Sequence, residues 1–208
     1  MIVMRIVLLG MVLALGGCAV GQTFSYADTD VVLKPAADPG SLVVLAVLDQ
    51  RAYILDGRKK DSFVGLSRGG FGNPYNVDTR SGVPLATEMT ISIAAALRRS
   101  GYEVRSVTVK PGDGVEGSTK AILGNTANRF LLVTLHEWKT ATLARTGLHF
   151  DLAAEVFDGS GQSLATHRVS GFEVSGSSIL SAEKDAQIWF EEKIGELLRE
   201  EQVAAKLR

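Results

Sequence analysis

The stretch LHFDLAAEVFDGSG, residues 148–161, decides the fold. Leu148, Phe150, Leu152, Ala154 and Val156 alternate with His149, Asp151, Ala153 and Glu155, the period of two that sends successive side chains to opposite faces of a sheet. Asp158-Gly159-Ser160-Gly161 then supplies hairpin chemistry, because glycine takes the positive φ that tight strand connections demand. Ser163–Val174 returns as the partner strand, in a register expected to set Asp151 opposite Arg168, His149 near Ser170, and His167 near Leu152 or Ala153. Immediately upstream, Phe130–Thr142 has strand character too, so three consecutive strands form an antiparallel meander.

Working outward, Ser41–Leu48 is a near-continuous aliphatic run of the kind that fills a strand buried on both faces. Pro84 suits the start of a helix in which Leu85, Met89, Ile93, Ala96 and Leu97 recur at helical spacing. Arg98 and Arg99 complement its C-terminal dipole and Gly101 stops it, after which Tyr102–Val109 reads as a strand. Lys110–Gly117 reads as a loop before a short helix near Ser118–Leu123. Ser181 opens a terminal helix whose Ala186, Trp189, Phe190, Ile194, Leu197 and Leu198 make one apolar face and belong to the core. The expected fold is therefore α+β, with a mixed, mostly antiparallel sheet and two main helices packed on one face. Residues 56–83, rich in glycine, show no confident long element and read as an extended loop.

The N-terminus carries an address. Arg5 makes a positive start, residues 6–15 are apolar but too few to span a bilayer, and Leu15-Gly16-Gly17-Cys18 reads as a bacterial lipobox. Residues 1–17 are thus expected to be a lipoprotein signal peptide, with Cys18 lipidated as the first mature residue. Residues 18–40, which end in Pro35, Pro39 and Gly40, are expected to form a tether with at most a short strand at Val31–Leu33. Residues 41–208 then make a single periplasmic domain. The lipobox, Asp49-x-Arg51 at the end of the first strand, Arg98-Arg99-Ser100-Gly101-Tyr102-Glu103-Val104 and the terminal amphipathic helix together resemble the YajG-like family of bacterial lipoproteins. That resemblance implies an envelope placement and an α+β fold. Ala19 at the second mature position, where inner-membrane lipoproteins of this kind carry Asp, implies the outer membrane.

Composition narrows the chemistry. Twenty-two Lys and Arg against 23 Asp and Glu leave a net charge of −1, without the basic excess by which nucleic-acid binders displace counterions. One cysteine, assigned to the lipid, leaves no disulfide, no redox pair and no thiolate zinc site. The histidines His136, His149 and His167 fall on three neighbouring strands, but the expected register keeps them apart, so no metal is assigned; no other cofactor is implied either. Gly-x-Ser-x-Gly is absent. Carboxylate pairs are limited to Asp49 with Asp56 and Glu137 with Asp151, the sort of pairing any sheet supplies, and no catalytic residue is assigned.

Two groups of residues stand out. Asp49 and Arg51, two apart at a strand end, read as a structural clamp in which Arg51 pins the following loop; an anion or partner contact is the alternative. Arg68, Phe71 and Tyr75, within the glycine-rich segment 65–75, are candidates for partner contact, since they offer a charged fork and two aromatic rings on a loop. The functional expectation is a non-enzymatic lipoprotein, attached to the membrane through Cys18, that binds or scaffolds another envelope component. A lipid- or glycan-fragment-binding accessory comes next, favoured by an apolar pocket of several hundred Å3. A hydrolase with an unfamiliar site is third.

Overall fold

The computed structural model describes residues 21–69, 71–176 and 181–207; the expected signal peptide, the lipobox and Cys18 lie outside them. In chain order the strands are β1 (Thr23–Phe24), β2 (Leu42–Asp49), β3 (Phe63–Arg68), β4 (Pro74–Thr79), β5 (Glu103–Ser106), β6 (Arg129–Thr142), β7 (Thr146–Phe157) and β8 (Ser163–Val174). The helices are α1 (Ala52–Leu55), α2 (Leu85–Arg99), α3 (Gly114–Leu123), α4 (Ala182–Arg199) and α5 (Glu201–Leu207), with one 3-10 turn at Pro111–Asp113. All eight strands belong to one mixed sheet, curled into a half-barrel, so the fold is α+β as the strand and helix patterns indicated.

The meander β6–β7–β8 forms the antiparallel part. Its turn is held by Asp158, whose Oδ1 accepts the Ser160 amide at 2.8 Å and the Gln162 amide at 3.1 Å, while Gly161 takes φ +85°. The register runs two residues beyond the expected one. Asp151 faces Ser170 and Arg168 faces Ala153, because the turn spans Asp158 to Gln162 and a bulge between Val156 and Phe157 adds a further residue on β8. A two-residue shift keeps every side chain on its face, and Arg168 still reaches diagonally to Asp151, with Nε 2.7 Å from Oδ1.

The parallel part is built around β2, which has β5 on one edge and β6 on the other. The chain leaves β2 and passes through α2 to reach β5, then passes through α3 to reach β6 on the opposite side. Right-handed crossovers in opposite directions place the two helices on opposite faces. Accordingly Val43, Leu45 and Val47 pack with Leu85, Met89 and Ile93 of α2, whereas Val44, Ala46 and Leu48 pack with Ile122 of α3. The first face is the larger core; α4 adds Phe190 and Ile194 to it, and α5 adds Val203 and Leu207. Tyr26, Trp138 and Phe190 meet there, with the Trp138 ring edge-on to both others, centroids 5.9 and 5.7 Å away.

Two expectations need correction. The glycine-rich segment is a β-hairpin: β3 and β4 pair antiparallel, and only residues 69–73 form its tip. Gly65 is what admits β3 to the sheet, since a Cβ there would lie 1.9 Å from Oγ1 of Thr140 on β6. Sparse apolar residues and frequent glycines concealed the strands. The described part of the expected tether is also part of the domain. β1 pairs parallel with β4; Phe24, Tyr26 and Val31 are buried; and no strand forms at 31–33. The Tyr26 amide donates to buried Glu88 of α2 at 2.7 Å, and Thr29 Oγ1 lies 2.7 Å from Ser92 Oγ. Polar and proline-rich sequence masked a strap whose Phe24, Tyr26 and Val31 join the main core.

Candidate binding site

The C-terminal end of β2 is where the chain's polar chemistry concentrates. β7 covers one edge of β6 along its length, so β2 and β3 share the other, β2 along residues 129–135 and β3 along 140–142. Between them lies a gap in the ladder. Arg51, fully buried, fills it. Its Nε donates to Asp49 Oδ1 at 2.9 Å and its Nη2 to Asp49 Oδ2 at 2.7 Å, a bidentate pair. The remaining guanidinium hydrogens go to the carbonyls of Asp61 (3.1 Å), Phe63 and Trp138 (3.4 Å), so all five donors have acceptors. Burial works against this charge, and the Asp49 carboxylate more than offsets it, holding the guanidinium above its ordinary pKa.

Tyr53, on α1, completes the plug. Its hydroxyl donates to Glu137 Oε1 at 2.5 Å, and its ring meets Phe63 edge-on at 5.4 Å. Burial, followed by the neighbouring carboxylate, raises the phenol well above its ordinary range, although Arg51 pulls the other way. Arg51 and Asp49 therefore offer no free charge to a ligand.

On the other edge of β2 the ladder also stops short. The β2–β5 register ends at Leu45 with Ser106, and the Val107 amide makes the last bond, to the Leu45 carbonyl at 2.8 Å. The expected strand Tyr102–Val109 thus contracts to four residues. Beyond it the chain leaves the sheet toward the 3-10 turn, held by the Lys110 amide on Asp113 Oδ2 at 2.7 Å and by Gln50 Nε2 on the Pro111 carbonyl at 2.8 Å. Pro111 cannot donate to a ladder, which favours the departure.

The result is a crevice of about 460 Å3 between α2 and residues 106–111. Its floor is Val47; Ile91, Ala94 and Ala95 of α2 line one wall, and Val107 and Val109 line the other. Arg98 stands at one end, and Asp61 and Lys110 at the other. This is the point where the crossovers from β2 and β5 diverge to opposite faces, the topological switch point at which sheets with parallel strands leave room for ligands at the strands' carboxyl ends. Sequence reading did not find the site, because it extended β5 over it. The one signal available was Pro111-Gly112, too close after the strand to let its last residues pair.

The remaining candidates lie elsewhere. Arg68, Phe71 and Tyr75 are at the β3–β4 tip, where Phe71 is 96% exposed and Arg68 Nη1 donates to the Gly72 carbonyl at 3.1 Å. They lie on one hairpin and line no part of the crevice. His149 stacks on Phe172 with centroids 4.5 Å apart, and His167 faces Ala154. Among the described residues, no three His, Cys, Asp or Glu side chains are grouped to hold a metal. Glu137 and Asp151 do face each other across β6 and β7, but the first takes the Tyr53 hydroxyl and the second pairs with Arg168. Asp56 pairs with exposed Arg58, away from Asp49.

No family model matches the chain, and no curated protein does. Among solved structures, it is similar to protein XCC0632 from Xanthomonas campestris, of family DUF330, with a TM-score of 0.54 and 13% identity over 88% of this chain and 96% of that one. The likeness is one of fold. PelC from Paraburkholderia phytofirmans, solved as a dodecamer, gives a TM-score of 0.45 and 16% identity, covering 85% of this chain and 95% of that one. Lipoprotein GNA1162 from Neisseria meningitidis gives 0.38 and 17%, covering 76% and 99%.

Proposed function

We propose that the chain is a non-enzymatic lipoprotein of the bacterial outer membrane, anchored through Cys18 and facing the periplasm, whose domain binds another envelope component in the crevice beside β2. The anchor rests on the lipobox and on Cys18 as the sole cysteine. Among the described residues, no helix is long and apolar enough to cross a membrane. The binding role rests on one observation: an apolar crevice of ligand size occupies the switch point of the sheet, with Asp49 of its lining committed to Arg51 and with Asp61, Arg98 and Lys110 at its ends. That combination suits recognition.

A second reading places the contact at the hairpin tip, favoured by the exposure of Phe71. Photo-crosslinking in the anchored protein separates the two. A crosslinker at position 91 is expected to yield an adduct and one at position 71 none; the reverse would move the binding face to the tip. For the anchor, Cys18→Ser is expected to abolish labelling by a palmitate analogue, and equal labelling of both forms would overturn it.

A further inference from the structure

The crevice has a feature that apolar shape does not explain. Along β2, even-numbered residues direct their amides and carbonyls to β6, as the Gln50 amide on the Leu135 carbonyl at 2.8 Å shows, and odd-numbered ones direct theirs to the β5 side. β5 satisfies residues 43 and 45. Past the Leu45–Ser106 pair nothing continues the ladder, so the N–H and C=O of Val47 and the N–H of Asp49 face the crevice with no protein partner among the described residues. Val47 is only 3% exposed and Asp49 2%. Buried backbone groups are nearly always paired, and three adjacent free groups on one strand make an open ladder edge.

The order of those groups, donor, acceptor, donor at strand spacing, is matched by extended main chain. A peptide carbonyl, amide and carbonyl in succession would complete it, while an acyl chain would fill the same space and leave all three unpaired. We infer that the crevice binds an extended peptide segment of a partner protein, which adds to the free edge of β2 end to end with β5. The inference rests on the crevice being the binding site, and names what enters it. The fold already contains the same solution once, where β2 and β3 lie end to end along a single edge of β6. The alternate side chains of the added segment would lie against Ile91, Ala95 and Val109, which calls for small or medium apolar residues at those positions and polar ones between.

The test uses the full-length lipidated protein in nanodiscs and a pooled library of fluorescent, C-amidated pentapeptides carrying Val, Ile, Leu, Thr or Ala at each position. Fluorescence polarisation is expected to select binders. In the best of them, methylating the backbone nitrogen that donates to the Val47 carbonyl should weaken binding at least tenfold, while methylating a nitrogen that points away should change it less than twofold. Deuterium exchange over residues 46–50 should slow on binding. Ala95→Trp, which fills the crevice from a half-buried helix position, should abolish binding. A library without binders, or a binder indifferent to methylation at every nitrogen, would overturn strand addition. So would displacement of the peptide signal by dodecanoate with no methylation effect, which would make the crevice an acyl-chain site. In that last case, or if the position-91 crosslink forms while no peptide binds, strand addition fails and the crevice survives as the binding site.

Discussion

An edge of β6 and an edge of β2 pose the same problem and receive opposite treatment. On the β6 side, one strand stops before the next begins, and Arg51 fills the gap with five hydrogen bonds and a buried carboxylate. On the β5 side, the neighbour stops after four residues and the gap stays open, walled by a helix and floored by a strand edge. The filled gap joins the β3–β4 hairpin to the rest of the sheet and belongs to folding. The open one leaves three backbone groups without a protein partner among the described residues, the local deficit on which strand addition is proposed.

Breaking the filled gap should cost most. Arg51→Ala leaves Asp49 as an uncompensated buried charge and is expected to lower the unfolding free energy by about 3–5 kcal/mol. The double variant Asp49→Ala with Arg51→Ala should recover part of that loss, since it leaves no lone charge behind. Urea midpoints of the three proteins measure the difference, and additive losses would mean that the two side chains act separately. Gly65→Ala drives a methyl into Thr140, so a loss of about 1–3 kcal/mol is expected, with the hairpin displaced from β6 rather than unfolded.

Tyr53→Phe removes a part-buried hydroxyl that bonds Glu137 Oε1 and lies 3.2 Å from the Trp138 carbonyl, and should cost about 1 kcal/mol at neutral pH. Its pH dependence is sharper. Folding raises the phenol's pKa, so Tyr53 contributes stability that is fully present below the ordinary value of about 10 and is lost as pH rises past it, when the unfolded chain can ionise. Melting temperature should therefore fall above about pH 10, and less steeply in Tyr53→Phe; Tyr26, raised by burial, and Lys193, held up by Glu173, contribute to the residual slope. Identical slopes in both proteins would mean that Tyr53 plays no part. At the open gap the expectation is reversed, for Ala95→Trp should change the melting temperature little while removing ligand. Smallest of all, Arg68→Ala with Phe71→Ala should stay within about 0.5 kcal/mol of the parent protein, because Phe71 is exposed and Arg68 bonds to the nearby Gly72 carbonyl. A large loss there would make the tip a structural part of the sheet.

What could be read from sequence follows the same division. Where side-chain pattern decides structure it was legible: the period-two run of β7, the helical face of α2 and the apolar stripe of α4 all lie where their spacing puts them. Asp49 and Arg51 stood out because charge at the end of an aliphatic run is costly without a partner. β3 and β4 were not legible, since their pairing depends on what Gly65 lacks, and neither was the N-terminal strap, whose anchoring bonds run through backbone amides. The crevice was hidden for a third reason. It is made by residues that fail to pair, and Val107-Thr108-Val109 is as good a strand sequence as the four residues before it.

The strap from Thr23 to Gly40 also sets a distance. A flexible tether of residues 19–40 could extend roughly 75 Å from a lipidated Cys18, at about 3.4 Å per residue. With Thr23 already paired into the sheet, the chain from a lipidated Cys18 to β1 would reach at most roughly 17 Å, at about 3.4 Å per residue. With the proposed anchor at Cys18, a domain on so short a leash would stay close to the lipid headgroups instead of sweeping the space above them. β1 stands at one end of the strand order and β2 near the other, so the crevice would lie on the part of the domain far from that leash.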